Sequence, residues 1–397
     1  MPFHTPIAEH AKQIAPFRVM KILGQARNLQ QQGREVIHLE VGEPDFASLD
    51  CLNHAANEAL EQGLSHYTPS LGLPELRHKL ADFYSHFYKA SVSSNNIMLT
   101  PGASGALQVV LSAILDADDK VLMADPTYPC NRQFVRLLNA KVLSVDVSHE
   151  TRFQLTLKLV QQAWQKGIKA VMIASPANPT GTVIEQAELV KIARFLGEKQ
   201  AYLIVDEIYQ GLVYNRPPES ILANQNLPEN IIVINSFSKY FGMTGWRLGW
   251  CIAPDKLMPV LERLAQNIYL AAPTPAQYAA LRVLEKDALQ ALEKRRLIFL
   301  QRRDTLIDAL EAIGQKIDCH PDGAFYLYWN ISAFSNNSEA FCQALLEQTG
   351  VAITPGTDFS DAQGKHYVRI AYTKECQILI RAVELIAQFI QGLKTQA

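Results

Sequence analysis

The chain is expected to form an α/β fold, with a large domain on a mostly parallel, doubly wound sheet and a smaller α+β domain. Short, nearly all-apolar segments recur between residues 97 and 252, as strands covered on both faces require. Helical patterns separate most of them, the arrangement that right-handed crossovers between parallel strands produce. From about residue 286 a long charged helical pattern takes over, which marks a second unit. With 397 residues, 48% of them hydrophobic, the chain can bury a large core.

In chain order, residues 17–32 carry a helical pattern stopped by Gly33, and 35–41 read as a strand ending in Gly42-Glu43-Pro44-Asp45. Candidate core strands are 97–100, 120–124, 170–174, 202–205, 231–234 and 248–252, with helices at 106–115 and 185–198 among them. A helix over 288–313, strands at 324–329 and 367–371 and a last helix toward Leu393 complete the chain. The expected division is 1–47 as an N-terminal arm and part of the small domain, 48–285 as the large ligand-binding domain and 286–397 as the C-terminal small domain.

Composition narrows the function. The net charge is −2 with no block of like charges, so no nucleic acid and no anionic membrane is expected as a partner, and a small molecule is. The first residues lack a leader-like apolar core, and the apolar stretch 106–115 ends at Asp116, too short to span a bilayer. Six scattered cysteines without C-x-x-C spacing point to reduced thiols and a cytoplasmic setting. Ten histidines show no ligand spacing, so no metal is expected.

In open α/β sheets ligands bind beyond the carboxyl ends of the strands, where the unusual residues of this chain gather. Ser236-Phe237-Ser238-Lys239 precedes Arg247 by eight residues, pairing an amine able to form a Schiff base with a fork of donors suited to a phosphate. The strand 97–100 runs into Pro101-Gly102-Ala103-Ser104-Gly105 and a helix, which is either an anion-binding helix start or a plain tight turn. It matches neither a nucleotide loop nor a nucleophile elbow. Strand 202–205 ends in Asp206-Glu207-Ile208-Tyr209, whose first carboxylate can pair with a protonated pyridine nitrogen. Strand 170–174 leads to Asn178-Pro179-Thr180-Gly181, a donor amide or ordinary turn chemistry, and Tyr128 offers a ring for stacking or for core packing. An aldehyde, a pyridine and a phosphate together describe pyridoxal 5'-phosphate.

These motifs, with Tyr67-Thr-Pro-Ser-Leu-Gly72, Pro321-Asp-Gly-Ala-Phe325 and Tyr367-Val-Arg369-Ile, follow one another along nearly the whole chain. The sequence resembles the pyridoxal-phosphate-dependent aminotransferases of class I/II, aspartate aminotransferase-like enzymes of fold type I. The resemblance implies an amino-group transfer between an L-α-amino acid and a 2-oxo acid by a ping-pong mechanism. It implies that Lys239 holds the cofactor and moves the proton, that Asp206 pairs with the pyridine nitrogen, and that Asn178 and Tyr209 bond the phenolic oxygen. Tyr128 would stack on the ring. Ala103, Ser104, Ser236 and Arg247 would hold the phosphate, with Tyr67 reaching it from the other subunit of a homodimer. Arg369, helped by Gly42 and Asn178, would take the substrate α-carboxylate.

Two features depart from aspartate-preferring bacterial members: Ser104 stands where they often carry a lysine, and 266–272 is more apolar than their Ser/Thr-rich segment. A neutral or aromatic substrate side chain is therefore expected. A carbon–sulfur β-lyase on the same scaffold is the alternative reaction. A non-catalytic sensor is disfavoured, since only about forty residues, not strongly basic as a segment, precede the Gly42 segment.

Overall fold

The computed structural model describes residues 7–396. Residues 1–6 of the expected N-terminal arm lie outside the described residues. Twelve strands appear in chain order: β1 (Ile37–His38), β2 (Ile97–Thr100), β3 (Lys120–Asp125), β4 (Lys141–Asp146), β5 (Ile168–Ala174), β6 (Tyr202–Asp206), β7 (Ile231–Ser236), β8 (Gly249–Ile252), β9 (Tyr326–Asn330), β10 (Val351–Ala352), β11 (Thr354–Pro355) and β12 (Tyr367–Ala371).

The central sheet has seven strands in the order β2-β8-β7-β6-β5-β3-β4. Only β8 runs against its neighbours, pairing antiparallel with both β2 and β7. The sheet is thus mostly parallel with helices around it, the α/β class expected. A smaller antiparallel sheet runs β11-β12-β9, and β1 pairs in parallel with β10. The first described strand pairs with a segment more than 300 residues away, β10, which is itself only two residues long, so the ladder covers Ile37–His38 rather than the 35–41 read from local pattern.

β4 was not expected. It is an edge strand, half-exposed along its length, and lacks the unbroken apolar run that marks the interior strands. The helix after β2 begins at Gly102 rather than at 106, because the small residues of its first turn carry no apolar periodicity.

Side chains of the interior strands alternate between two apolar layers. Val171, Ile173, Leu203, Val205 and Val233 join one layer. Ala170, Met172, Ile204, Ile232 and Ile234 join the other, which includes Ala106, Val110 and Leu111 of the helix Gly102–Ile114. The helix Lys286–Ala312 packs against the last helix, Cys376–Gln396. The latter contains an 18-residue stretch, Cys376–Leu393, with mean hydropathy 1.3, long and apolar enough to cross a membrane by length and composition. The sequence reading passed over it. Its buried residues Leu379, Ala382, Val383, Ile386, Phe389 and Ile390 follow helical spacing, as an amphipathic helix on a protein core requires.

Candidate active site

Strand parity builds the floor of a cavity at the carboxyl ends of β5, β6 and β7. Ala174, Asp206 and Ser236, at the carboxyl ends of β5, β6 and β7, share a face with Met172, Ile204 and Ile234. All three open into a cavity of about 280 Å³ beside the first turns of the helix Gly102–Ile114. The structure brings together Gly42, Ala103, Ser104, Tyr128, Asn178, Asp206, Tyr209, Ser236, Lys239, Arg247 and Arg369 around it. Tyr67 is not among them: it stands on the surface, 83% exposed.

One end of the cavity has the chemistry of an anion site. Ala103 and Ser104 lie in the first helical turn, where backbone N–H groups have no intrahelical acceptor. Arg247, with φ at +52°, lies against the same turn. A Cβ on Gly102 would stand 2.7 Å from Nη2 of Arg247, and its φ of +71° lies in the left-handed region that favours glycine. The Arg247 Nη1 donates to the Thr244 carbonyl at 3.0 Å.

The opposite end holds Arg369 on β12, 3% exposed. Its Nη1 donates to Asn178 Oδ1 at 3.0 Å, and Nη2 donates to the Glu40 carbonyl and to Thr354 Oγ1. The guanidinium lies 4.4 Å from the Tyr326 ring and 4.8 Å from that of Phe359. Its buried Nε has no partner among the described residues, an unused donor suited to a carboxylate.

Between the two arginines the Lys239 Nζ donates to the Gly42 carbonyl at 2.9 Å. Burial brings its ammonium down to about 8; the Glu43 carboxylate opposes this shift, and Arg369 and Arg247 add to it. Asp206 moves the other way. Burial raises its carboxyl to about 6, against the backbone N–H of Ile208 at 3.1 Å and the charge of Lys239. A cation placed against Asp206 would hold it ionised.

Several lining residues escaped the sequence reading. Tyr326 directly follows the Pro321–Phe325 motif, so that motif extended by one residue would have found it. Phe17, Val19, Met20 and Leu23 come from the start of the helix Arg18–Gln31, and Phe134 from the helix Pro129–Leu137. The helix Arg18–Gln31 has no side-chain cap of its own. Asp358 caps it instead, accepting from the backbone N–H of Arg18 at 2.9 Å and of Val19 at 3.2 Å. No local signal reveals a cap that comes from 340 residues away.

The cavity pairs a buried lysine amine with a carboxylate, between a helix start with free amides and a buried arginine whose Nε has no partner among the described residues. Pyridoxal phosphate fits it by carbonyl, ring nitrogen and phosphate. Fold and site thus define a pyridoxal-phosphate-dependent enzyme acting on amino acids. The model of the "Aminotransferase class I and II" family matches residues 34–383, and the chain belongs to that family. It is 37% identical to the (5-formylfuran-3-yl)methyl phosphate transaminase of Methanocaldococcus jannaschii, over 94% of this chain and 96% of that one. It is equally 37% identical to the valine–pyruvate aminotransferase of Mycobacterium tuberculosis, over 90% and 92%. Among solved structures, an aminotransferase from Mycobacterium tuberculosis superposes with a TM-score of 0.93 at 36% identity, covering 98% of this chain and 100% of that one. The Thermus thermophilus aspartate aminotransferase with maleate gives 0.90 at 32%, covering 97% and 100%. The chain is a pyridoxal-phosphate-dependent aminotransferase of fold type I.

Proposed function

We propose that the cavity performs amino transfer between an α-amino acid and a 2-oxo acid, with a neutral or aromatic side chain favoured on the donor. The observation that carries the assignment of roles is the Lys239 amine, brought down to about 8 and held at 2.9 Å by the Gly42 carbonyl, in one cavity with Asp206. Bound pyridoxal phosphate supplies an electron sink that stabilises negative charge developing at the substrate Cα. Lys239 would hold the cofactor through its amine and, as a free amine near neutrality, would take and return the proton at the substrate Cα. Asp206 keeps the ring nitrogen protonated. Tyr209 and Asn178 donate to the phenolic oxygen, and Tyr128 packs on the ring. Ser236, Arg247 and the amides of Ala103 and Ser104 hold the phosphate. Arg369 takes the α-carboxylate through its fork, with Gly42 and Asn178 beside it.

The side-chain preference rests on the wall. Phe17, Val19, Met20, Leu23 and Phe134 face the cavity, and its lining cations are Lys239, Arg247 and Arg369, all used above. A second substrate carboxylate would meet apolar surface and lose several kcal/mol of hydration. The relatives' names span valine, aspartate and prephenate, so they do not choose for this chain.

A homodimer completes the reading. Tyr67, Ile268 and Leu270 are exposed at 83%, 48% and 50%, and Thr274 Oγ1 donates to the His66 carbonyl, so both exposed segments lie on one surface. That surface suits a second copy, with Tyr67 serving the neighbour's phosphate. The division at 47 and 285 is kept with this proposal, the helix Lys286–Ala312 beginning at its second boundary. The cytoplasmic assignment rests on the six free cysteines.

The test is a visible spectrum of the purified enzyme titrated with single amino acids without any 2-oxo acid. Conversion of the lysine-bound band to a pyridoxamine band by alanine, valine, leucine or phenylalanine is the expected result. Higher efficiency with aspartate would overturn the preference, and pyruvate released from cysteine conjugates would move the reaction to a β-lyase.

A further inference from the structure

Tyr326 carries no role in the reading above, yet its hydroxyl sits where three functional groups meet. It lies 2.9 Å from the Tyr209 hydroxyl and donates to the Gly42 carbonyl at 3.4 Å, the same carbonyl that accepts Lys239 Nζ. Its ring is the surface under the Arg369 guanidinium, at 4.4 Å, and stands edge-on to the Tyr209 ring, with centroids 5.6 Å apart. The side chain is 1% exposed.

Position 42 is shaped for this contact. A Cβ built on Gly42 would stand 1.8 Å from the Tyr326 hydroxyl oxygen, so the hydroxyl occupies the space that any other residue at 42 would fill. A tyrosine that served only as an apolar platform for Arg369 would not need its hydroxyl in that space.

We propose that Tyr326 is a positioning residue whose hydroxyl, turned from the Gly42 carbonyl to donate to the Tyr209 hydroxyl, aims the Tyr209 phenol at the cofactor's phenolic oxygen. The inference rests on the cofactor placement proposed above. A hydroxyl has one hydrogen and two acceptor directions, so Tyr326 can donate to Gly42 while accepting from Tyr209, or turn to donate to Tyr209. In the second arrangement the single Tyr209 hydrogen is free for the cofactor oxygen. Without the Tyr326 hydroxyl, the buried Tyr209 hydroxyl loses its one side-chain hydrogen-bond partner among the described residues, and its orientation is no longer held.

The test uses Tyr326→Phe, which keeps the ring beneath Arg369 and removes one oxygen. Tyr209→Phe and the double variant complete a cycle, because coupled residues depart from additivity. Three quantities are read in each protein: cofactor affinity of the apoprotein, the pH midpoint of the lysine-bound cofactor band, and kcat and KM for the amino donor. The expected result for Tyr326→Phe is a weaker cofactor affinity, by about three- to tenfold, and an upward shift of the midpoint, because a hydrogen bond to the phenolic oxygen favours its unprotonated form. We expect kcat to fall by about tenfold with KM changed less than about threefold, the pattern of lost transition-state positioning. In the Tyr209→Phe background the same change should have less than about a twofold effect on affinity. A wild-type midpoint and affinity in Tyr326→Phe would overturn the proposal, as would an undiminished effect in the Tyr209→Phe background. If the wild-type protein itself forms no cofactor band, the cofactor placement fails and this proposal fails with it; a normal wild-type band with an unchanged Tyr326→Phe defeats this proposal alone.

Discussion

Asp206 and Glu207 are consecutive carboxylates at the end of one strand, yet they serve two different regions. Asp206 faces the cavity, with its carboxyl raised to about 6 by burial. Glu207 turns to the other side of the sheet, raised to about 7, again mainly by burial. There its Oε1 accepts from Ser220 Oγ at 3.0 Å and the Ile221 N–H at 2.9 Å, while Oε2 has no partner among the described residues. Its neighbourhood is the packed cluster of Tyr84, Asn235 and Trp250, where Trp250 Nε1 and Asn235 Nδ2 both donate to the Tyr84 hydroxyl. Both carboxylates are desolvated, but only Asp206 faces space in which a cation can be placed. Burial perturbs both groups; access to the cavity distinguishes Asp206.

The largest break in this comparison comes from removing the chemistry of the cavity side. Lys239→Ala should slow the half-reaction with a good amino donor by about 10⁴-fold or more, read as single-turnover loss of the cofactor band. Asp206→Asn should cost about 10²- to 10³-fold in kcat, since an amide cannot hold the ring nitrogen charged. Arg369→Lys should raise KM by about 10- to 100-fold, because an ammonium cannot reproduce the fork held beside Asn178 and Thr354. On the core side, Glu207→Gln should leave kcat within about twofold of wild type; a 100-fold loss would mean the two carboxylates are not separable in function.

A stability measurement sharpens the same contrast. In the apoprotein, folded Glu207 keeps its proton up to about pH 7, whereas the unfolded chain releases it near the ordinary value of 4.5. Its contribution is therefore fully present below about pH 4.5 and lost as pH rises through about 7, on the order of 3 kcal/mol in all. Urea unfolding across that range should show this decline, and Glu207→Gln should remove it. Asp206 has the same sign in a lower window, between its ordinary 3.8 and about 6. Loading the cofactor should abolish the Asp206 component, by supplying a cation, and leave the Glu207 component. If loading flattens both equally, the two regions are electrostatically one.

Much of this was legible in the sequence. Strand segments covered on both faces announced the sheet, and the motif residues Lys239, Asp206, Asn178 and Arg247 announced the chemistry, because they lie at or just beyond strand ends where open sheets bind ligands; Arg369, mid-strand in β12 of the small sheet, was found through its motif alone. β4 escaped because an edge strand lacks the double-sided apolar run. The first turn of the helix Arg18–Gln31 escaped as a cavity wall because its cap, Asp358, and the strands beneath it belong to the far end of the chain.

The sequence by itself therefore determined the fold class, the family and the reactive groups, all of which depend on residue type and local order. The motif singled out Asp206 of the Asp206-Glu207 pair, but strand patterning alone does not distinguish the two carboxylates. Interior strands here are apolar on both faces, so no polar alternation marks one parity as the ligand side. That choice was made by the helix Gly102–Ile114, which packs on the Ile204 face and ends its own free amides above Asp206 and Ser236. The meeting of Tyr326 with Gly42 belongs to the same category: a contact between residues 284 apart, visible only once β9 and the strap after β1 are brought together.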